Sequence, residues 1–138
     1  MKTKKFSRVI NYLILIIVAA VLGILSRKYG SVLPEFPASY TGDTMWAFAL
    51  YFLLSLFLLK RSFSFRFWLT CLIALIDEFS QLFHTPWLDE LRSTTIGALV
   101  LGNTFVWTDL LCYLAGAVLA VVVDYVFIRT RDYQVGRW

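Results

Sequence analysis

Charge is scarce in this chain, and histidine, cysteine and proline are scarcer still. Only 16% of its 138 residues are charged, while 59% are hydrophobic. That is more apolar surface than a soluble core of this size needs, and a bilayer is the solvent that accepts it. Two cysteines, Cys71 and Cys112, and one histidine, His84, give no disulfide framework and no metal-ligand spacing, so neither a metal nor a cofactor is implied. Both cysteines fall inside apolar runs and read as small packing residues. Gly-rich phosphate loops, internal repeats and low-complexity tracts are absent. The net charge of +4 comes without a basic stripe interleaved with exposed aromatics, which argues against nucleic acid as a partner.

What the chain does contain is four apolar runs, over residues 9–25, 43–59, 67–83 and 107–128. A helix as long as the third covers roughly 26 Å, just enough for a thin hydrocarbon core. The length suits one domain. The expectation is an all-α integral membrane protein, a single four-span domain over residues 1–138. Lys2, Lys4, Lys5 and Arg8 before the first run imitate a secretory signal. However, Ser26-Arg27-Lys28-Tyr29 stands where a small-x-small cleavage site is required, so the first run is expected to stay as an anchor.

Orientation follows from the basic residues. The N-terminal group, Lys60, Arg61 and Arg66 between spans two and three, and Arg129, Arg131 and Arg137 in the tail fall on one side. Arg27, Lys28 and Arg92 fall on the other. Both termini are therefore expected in the cytoplasm, in a multi-pass membrane protein.

Two segments face outward in this topology. In residues 26–42, Gly30, Pro34 and Pro37 are expected to break regular structure, leaving Asp43 to open and cap span two. Between His84 and Val106, Thr85 is a candidate N-cap, Pro86 fits the first helical position and Asp89 and Glu90 fit the first turn. Leu88, Leu91, Thr95, Ala98 and Leu99 form an apolar stripe, and Gly102-Asn103 is a stop signal. This predicts one short amphipathic helix on the outer face. Thr108 or Asp109 is expected to cap span four, with Trp107 as an interfacial anchor.

The chemistry gathers at that same face. Asp77, Glu78 and Gln81 lie at the end of span three, and Gln81 shares a helix face with both acids. An ionised carboxylate against lipid costs about 2.5–3.5 kcal/mol even on a lenient scale, so these acids need partners, water or a proton. Glu78, Gln81, Asp43, Asp109, Arg27 and Arg92 are expected to form a polar cup open to the outside. Such a cup could hold the headgroup of a lipid or lipid-linked sugar, with Arg on phosphate and acids on hydroxyls. Alternatively, Glu78 could carry protons in a small transporter, or Glu78, Asp109 and His84 could bind a metal or do acid–base chemistry. A fourth reading is that the charges only lock the helices together.

Several separated motifs also resemble a known bacterial membrane family. They are Ser26-Arg27-Lys28-Tyr29-Gly30, Gly42-Asp43-Thr44-Met45-Trp46-Ala47, Glu78-Phe79-Ser80-Gln81, Trp87-Leu88-Asp89-Glu90-Leu91-Arg92 and Trp107-Thr108-Asp109-Leu110, followed by Tyr113 and Gly116. On these the chain is similar to the family catalogued as domain of unknown function 2809, which implies a small integral membrane protein of undetermined activity. More distantly it resembles VanZ-like proteins, associated with glycopeptide resistance. The shared elements are Glu78-x-x-Gln81, an Arg at 92, and Asp109 with Gly116 seven residues on. Tyr113 departs from that pattern, which usually has Asn, and a phenol has one donor where an amide has two.

The combined expectation is a binding protein of the cell envelope. The ligand is a lipid or lipid-linked glycan headgroup, and the site residues are Arg27, Asp43, Glu78, Gln81, Arg92, Asp109 and Tyr113. No catalytic residue is assigned. The partners are the bilayer and that ligand. Four short spans leave little room for an enclosed pathway in a monomer, so a homodimer is a candidate assembly.

Overall fold

A computed structural model describes the backbone of residues 2–129 and the side chains of residues 5–126. The tail residues Arg131 and Arg137, and the side chains of Lys2, Lys4 and Arg129, all used for orientation, lie outside that range. Every regular element in it is helical: α1 (Lys2–Lys28), α2 (Glu35–Phe57), α3 (Phe63–Ser80), α4 (Pro86–Ser93), α5 (Thr95–Leu101) and α6 (Trp107–Val123), which continues into a π-helical turn, Asp124–Arg129. Among the described residues, two helices are long and apolar enough to cross a membrane: α1 from Lys5, and α6 with the turn to Val126. The other two long helices carry more polarity within their length. α2 opens through Glu35 and Asp43, and α3 contains Arg66, Asp77 and Glu78.

The bundle is centred on α2, which packs against α1, α6 and α3. Small residues permit this. Ala47 of α2 and Ala117 and Ala120 of α6 are fully buried. At Gly116 any side chain would run into the backbone carbonyl of Thr44, so the two helices meet backbone to backbone, as small residues allow. Lower in the bundle, Phe52 packs against the rings of Tyr12, Phe48 and Tyr51 at 4.9–5.2 Å. The exterior is the apolar part. Leu13, Ile14, Ile17 and Val18 of α1, Trp68, Leu72 and Ile76 of α3, and Leu111, Val118 and Val122 of α6 are all exposed.

Several boundaries differ from expectation, each for a local reason. The first connection is short, because α2 begins at Glu35 with Pro34 as its N-cap. Pro37 falls in the first turn, where a missing N–H removes no helical bond. Asp43 is consequently inside α2 and caps nothing. The single outer helix is two, α4 and α5, separated at Thr94, whose hydroxyl accepts from the Gly97 N–H at 3.0 Å and so starts a new helix. The N-cap of α6 is Val106, with Asp109 in the first turn rather than at the cap.

Arg66 is the largest departure. Counted above as a loop charge, it sits within α3 and is buried against Asp124, with Nη1 2.9 Å from Oδ2 and side-chain exposures of 1% and 0%. Tyr12 and Tyr51 donate their hydroxyls to the two carboxylate oxygens at 2.8 and 2.9 Å. The guanidinium also lies over the rings of Tyr51 and Phe63. One clasp thus joins α1, α2, α3 and the turn after α6. Losing one partner of a buried ion pair costs about 3–5 kcal/mol, whereas replacing both by apolar groups is often nearly neutral. Asp124→Leu should therefore lower the thermal unfolding temperature in detergent sharply, and adding Arg66→Met should restore more than half of the loss. A double variant as unstable as the single one would show that the two groups are not coupled.

Candidate functional site

At the end of the bundle opposite this clasp, the chain folds back on itself and encloses a cavity. Gln81 is the C-cap of α3, and Pro86 starts α4 four residues after Leu82. Arg92, only 3% exposed, fixes the angle between them. Its Nη1 donates to the Phe83 carbonyl at 2.8 Å and its Nη2 to the Ser80 carbonyl at 2.7 Å, with Asp89 3.6 Å away. These carbonyls lie at and just beyond the C-terminal, negative end of α3, where a cation is favoured. α5 then turns back over the bundle and stops at Gly102. That residue has φ +63, which favours glycine, and a Cβ there would also approach the Gln81 amide nitrogen to 2.7 Å and displace that side chain.

The space beneath is about 250 Å³. Arg27 of α1, Asp43 and Trp46 of α2, Asp77 of α3 and Asp109 and Tyr113 of α6 form its walls, with Gln81. Residues 98–100 of α5 and the 102–104 loop close one side. Arg27 Nη2 pairs with Asp43 Oδ1 at 2.9 Å, both partly exposed. The rings of Trp46 and Tyr113 lie 5.2 Å apart, tilted. The formal inventory is three carboxylates against one guanidinium, and that guanidinium is already engaged.

Glu78 is not part of the wall. It is fully buried and accepts hydrogen bonds from three directions. Gln81 Nε2 (3.1 Å) and Tyr113 hydroxyl (3.0 Å) reach one oxygen, and the Val106 N–H (2.9 Å) reaches the other. The carboxylate therefore ties α3, α6 and the loop before α6 together, and sets the positions of two wall residues. The separation of thirty-five residues between Glu78 and Tyr113 leaves no trace in local periodicity.

Of the residues expected at the site, Arg27, Asp43, Gln81, Asp109 and Tyr113 line the cavity together. Glu78 supports it from below, and Arg92 is turned away into the backbone of α3. Asp77, Trp46, Asn103 and Thr104 also line it and were not assigned. Asp77 was legible as a helical neighbour of Gln81, and Trp46 as lying one turn from Asp43. Nothing local marks Asn103 and Thr104. His84 is exposed and faces Asp89, with Nδ1 3.2 Å from the carboxylate, so it does not join Glu78 and Asp109. Among the described residues no three His, Cys, Asp or Glu side chains converge on a metal-sized space.

Residues 32–117 match the sequence model of a family described as "Protein of unknown function (DUF2809)". The chain belongs to this family. The DUF2809 match runs from just before α2 into α6 and takes in every cavity carboxylate, Glu78, Arg92 and Tyr113. Arg27 and the clasp residues Tyr12 and Asp124 lie outside it. No solved structure matches the DUF2809 chain.

A buried donor stripped of its acceptor costs about 1–3 kcal/mol. Glu78→Ala strands the Gln81 and Tyr113 donors together, whereas Tyr113→Phe removes one partner and costs on the order of 1 kcal/mol. Thermal unfolding in detergent should place Glu78→Ala well below Tyr113→Phe. Equal melting temperatures would show that Glu78 does not organise the site.

Proposed function

We propose that the protein crosses the bacterial cytoplasmic membrane four times, with both ends in the cytoplasm, and binds the polar head of an envelope lipid or lipid-linked glycan in an outward cup. α2 and α3 join α1 and α6 as spans in this reading. Support comes from α3, whose Arg66 and Glu78 are buried and whose Asp77 faces the cavity, while Trp68, Leu72, Leu75, Ile76 and Phe79 are exposed. A helix of 18 residues reaches roughly 27 Å, close to the hydrocarbon thickness. The basic residues on the Lys60–Arg61 side, against Arg27 and Lys28 on the other, orient the cup outward. The likeness of Glu78-x-x-Gln81 and Asp109 to the VanZ-like pattern is in keeping with an envelope role.

The observation that carries the reading is the cavity itself, a recess with three acids, a paired guanidinium, two amides and two aromatic rings. Its acid excess selects the head chemistry. Carboxylates accept from hydroxyls and ammonium groups and repel phosphate. Trp46 and Tyr113 offer ring faces to a cation or to the apolar side of a sugar. Arg92, expected to hold phosphate, is engaged with carbonyls, so the head is donor-rich rather than phosphate-led. The alternative that the charges only lock helices fits Arg92 and the Arg66–Asp124 clasp, which are buried. Asp43, Asp77 and Asp109 differ in keeping partial solvent access.

Native mass spectrometry of protein released with its own lipids tests this. Wild type should retain one lipid or lipid-linked adduct. An Asp77→Asn, Asp109→Asn double variant with an unchanged melting temperature should lose about tenfold in occupancy, roughly 1.4 kcal/mol. A wild type without an adduct, or a double variant that keeps it, removes the proposal.

A further inference from the structure

Beside the cup lies a second recess of about 180 Å³ with the opposite character. Ala20, Gly23 and Ile24 of α1 and Met45 and Ala49 of α2 form its floor. Arg27, Trp46, Leu99 and Val100 belong to the walls of both recesses. The two recesses therefore adjoin, polar on one side of Arg27 and Trp46 and apolar on the other, with Leu99 and Val100 of α5 beside both.

The direction of the apolar recess is informative. From Arg27 back to Ala19 along α1 is roughly 12 Å, and from Gly42 on to Ala49 along antiparallel α2 is roughly 10 Å. Both walls run from the end of the bundle toward its middle, as a lipid of the same leaflet does from head to tail. A water-soluble ligand would have no use for the apolar half. A second copy of the chain would not need its position beside the acidic cup.

We infer that this groove holds a hydrocarbon tail of the same molecule whose head occupies the cup, so that the ligand is a membrane lipid taken from the outer leaflet between α1, α2 and α5. This rests on the reading of the cup as a headgroup site. Because the tail is already in hydrocarbon before it binds, the groove contributes close packing and lateral position, whereas the head determines which lipid is chosen.

The test uses full-length protein in detergent micelles, with two probes in turn, a monoglucosyl diacylglycerol and phosphatidylethanolamine. Each is compared with its tailless head, glucosylglycerol or glycerophosphoethanolamine. Ala20 and Ile24 are exposed on α1, so Ala20→Phe and, independently, Ile24→Trp can fill the groove without invading the core. Leu13→Phe, on an exposed face outside the groove, controls for bulk. Either groove variant should weaken binding of the preferred diacyl probe at least about tenfold and leave its tailless head and the Leu13→Phe control unaffected. Full-strength probe binding in both groove variants would overturn the inference, and the cup would still stand if Asp109→Asn lost the probe. A wild type that binds neither lipid would overturn the cup and the groove together.

Discussion

A charge or polar group buried in this bundle must find its partner inside the bundle, and that constraint decides how the helices meet. Two carboxylates answer it, one toward each end. Asp124 takes hydrogen bonds from Tyr12 and Tyr51 and pairs with Arg66, which brings α1, α2 and α3 to the end of α6. Glu78 takes Gln81, Tyr113 and the Val106 N–H, which brings α6 and its approach loop to the end of α3. Between them the contacts are small residues and aromatic rings, which allow close approach and do not by themselves choose a register. A tyrosine suits both ends, since its ring packs in the apolar layer while its hydroxyl reaches the acid.

The same constraint explains what could and could not be read in advance. The helical runs, the Thr85-Pro86 start and the Gly102 stop are local signals, carried by apolar periodicity and by residues with special backbone needs. Arg27, Asp43, Gln81 and Asp109 were expected together because each stands at the end of an apolar run, and they line one cavity, whereas Tyr113 entered only with the family resemblance. Arg66 was misplaced because a basic residue beside Lys60 and Arg61 looks like a loop charge, and its partner lies far along the chain at Asp124. Arg92 was expected in the cup, but its direction depends on how α4 folds back onto the last turn of α3. Asp43 was mistaken for a cap because Pro34 and Pro37 look like breakers, although a helix's first turn accommodates both.

The roles of the two buried carboxylates differ in what surrounds them. Around Asp124 the partners Tyr12, Tyr51 and Arg66 are themselves buried. Around Glu78, two of the three partners, Gln81 and Tyr113, present their other sides to the cavity. A change at Glu78 therefore reaches the site through positioning, while Asp77 and Asp109 stand in the wall itself. This separates an effect on stability from one on the ligand, and it makes the wall aspartates the better probes of binding.

The asymmetry of the bundle also bears on transport through a single copy. Below the cup, Glu78 and its donors close the floor, and beneath that lie the packed rings of Phe48, Tyr51 and Phe52. Beyond them the Arg66–Asp124 clasp is sealed from solvent. A polar solute leaving the cup inward would have to separate two satisfied buried carboxylates and an aromatic layer, each costing several kcal/mol. A lipid held across the cup and its side groove meets none of these barriers, because its way in and out is lateral. These barriers count against passage through a single copy and favour the proposed reading, in which an amphiphile is held at the cup and its side groove, with α5 beside both recesses.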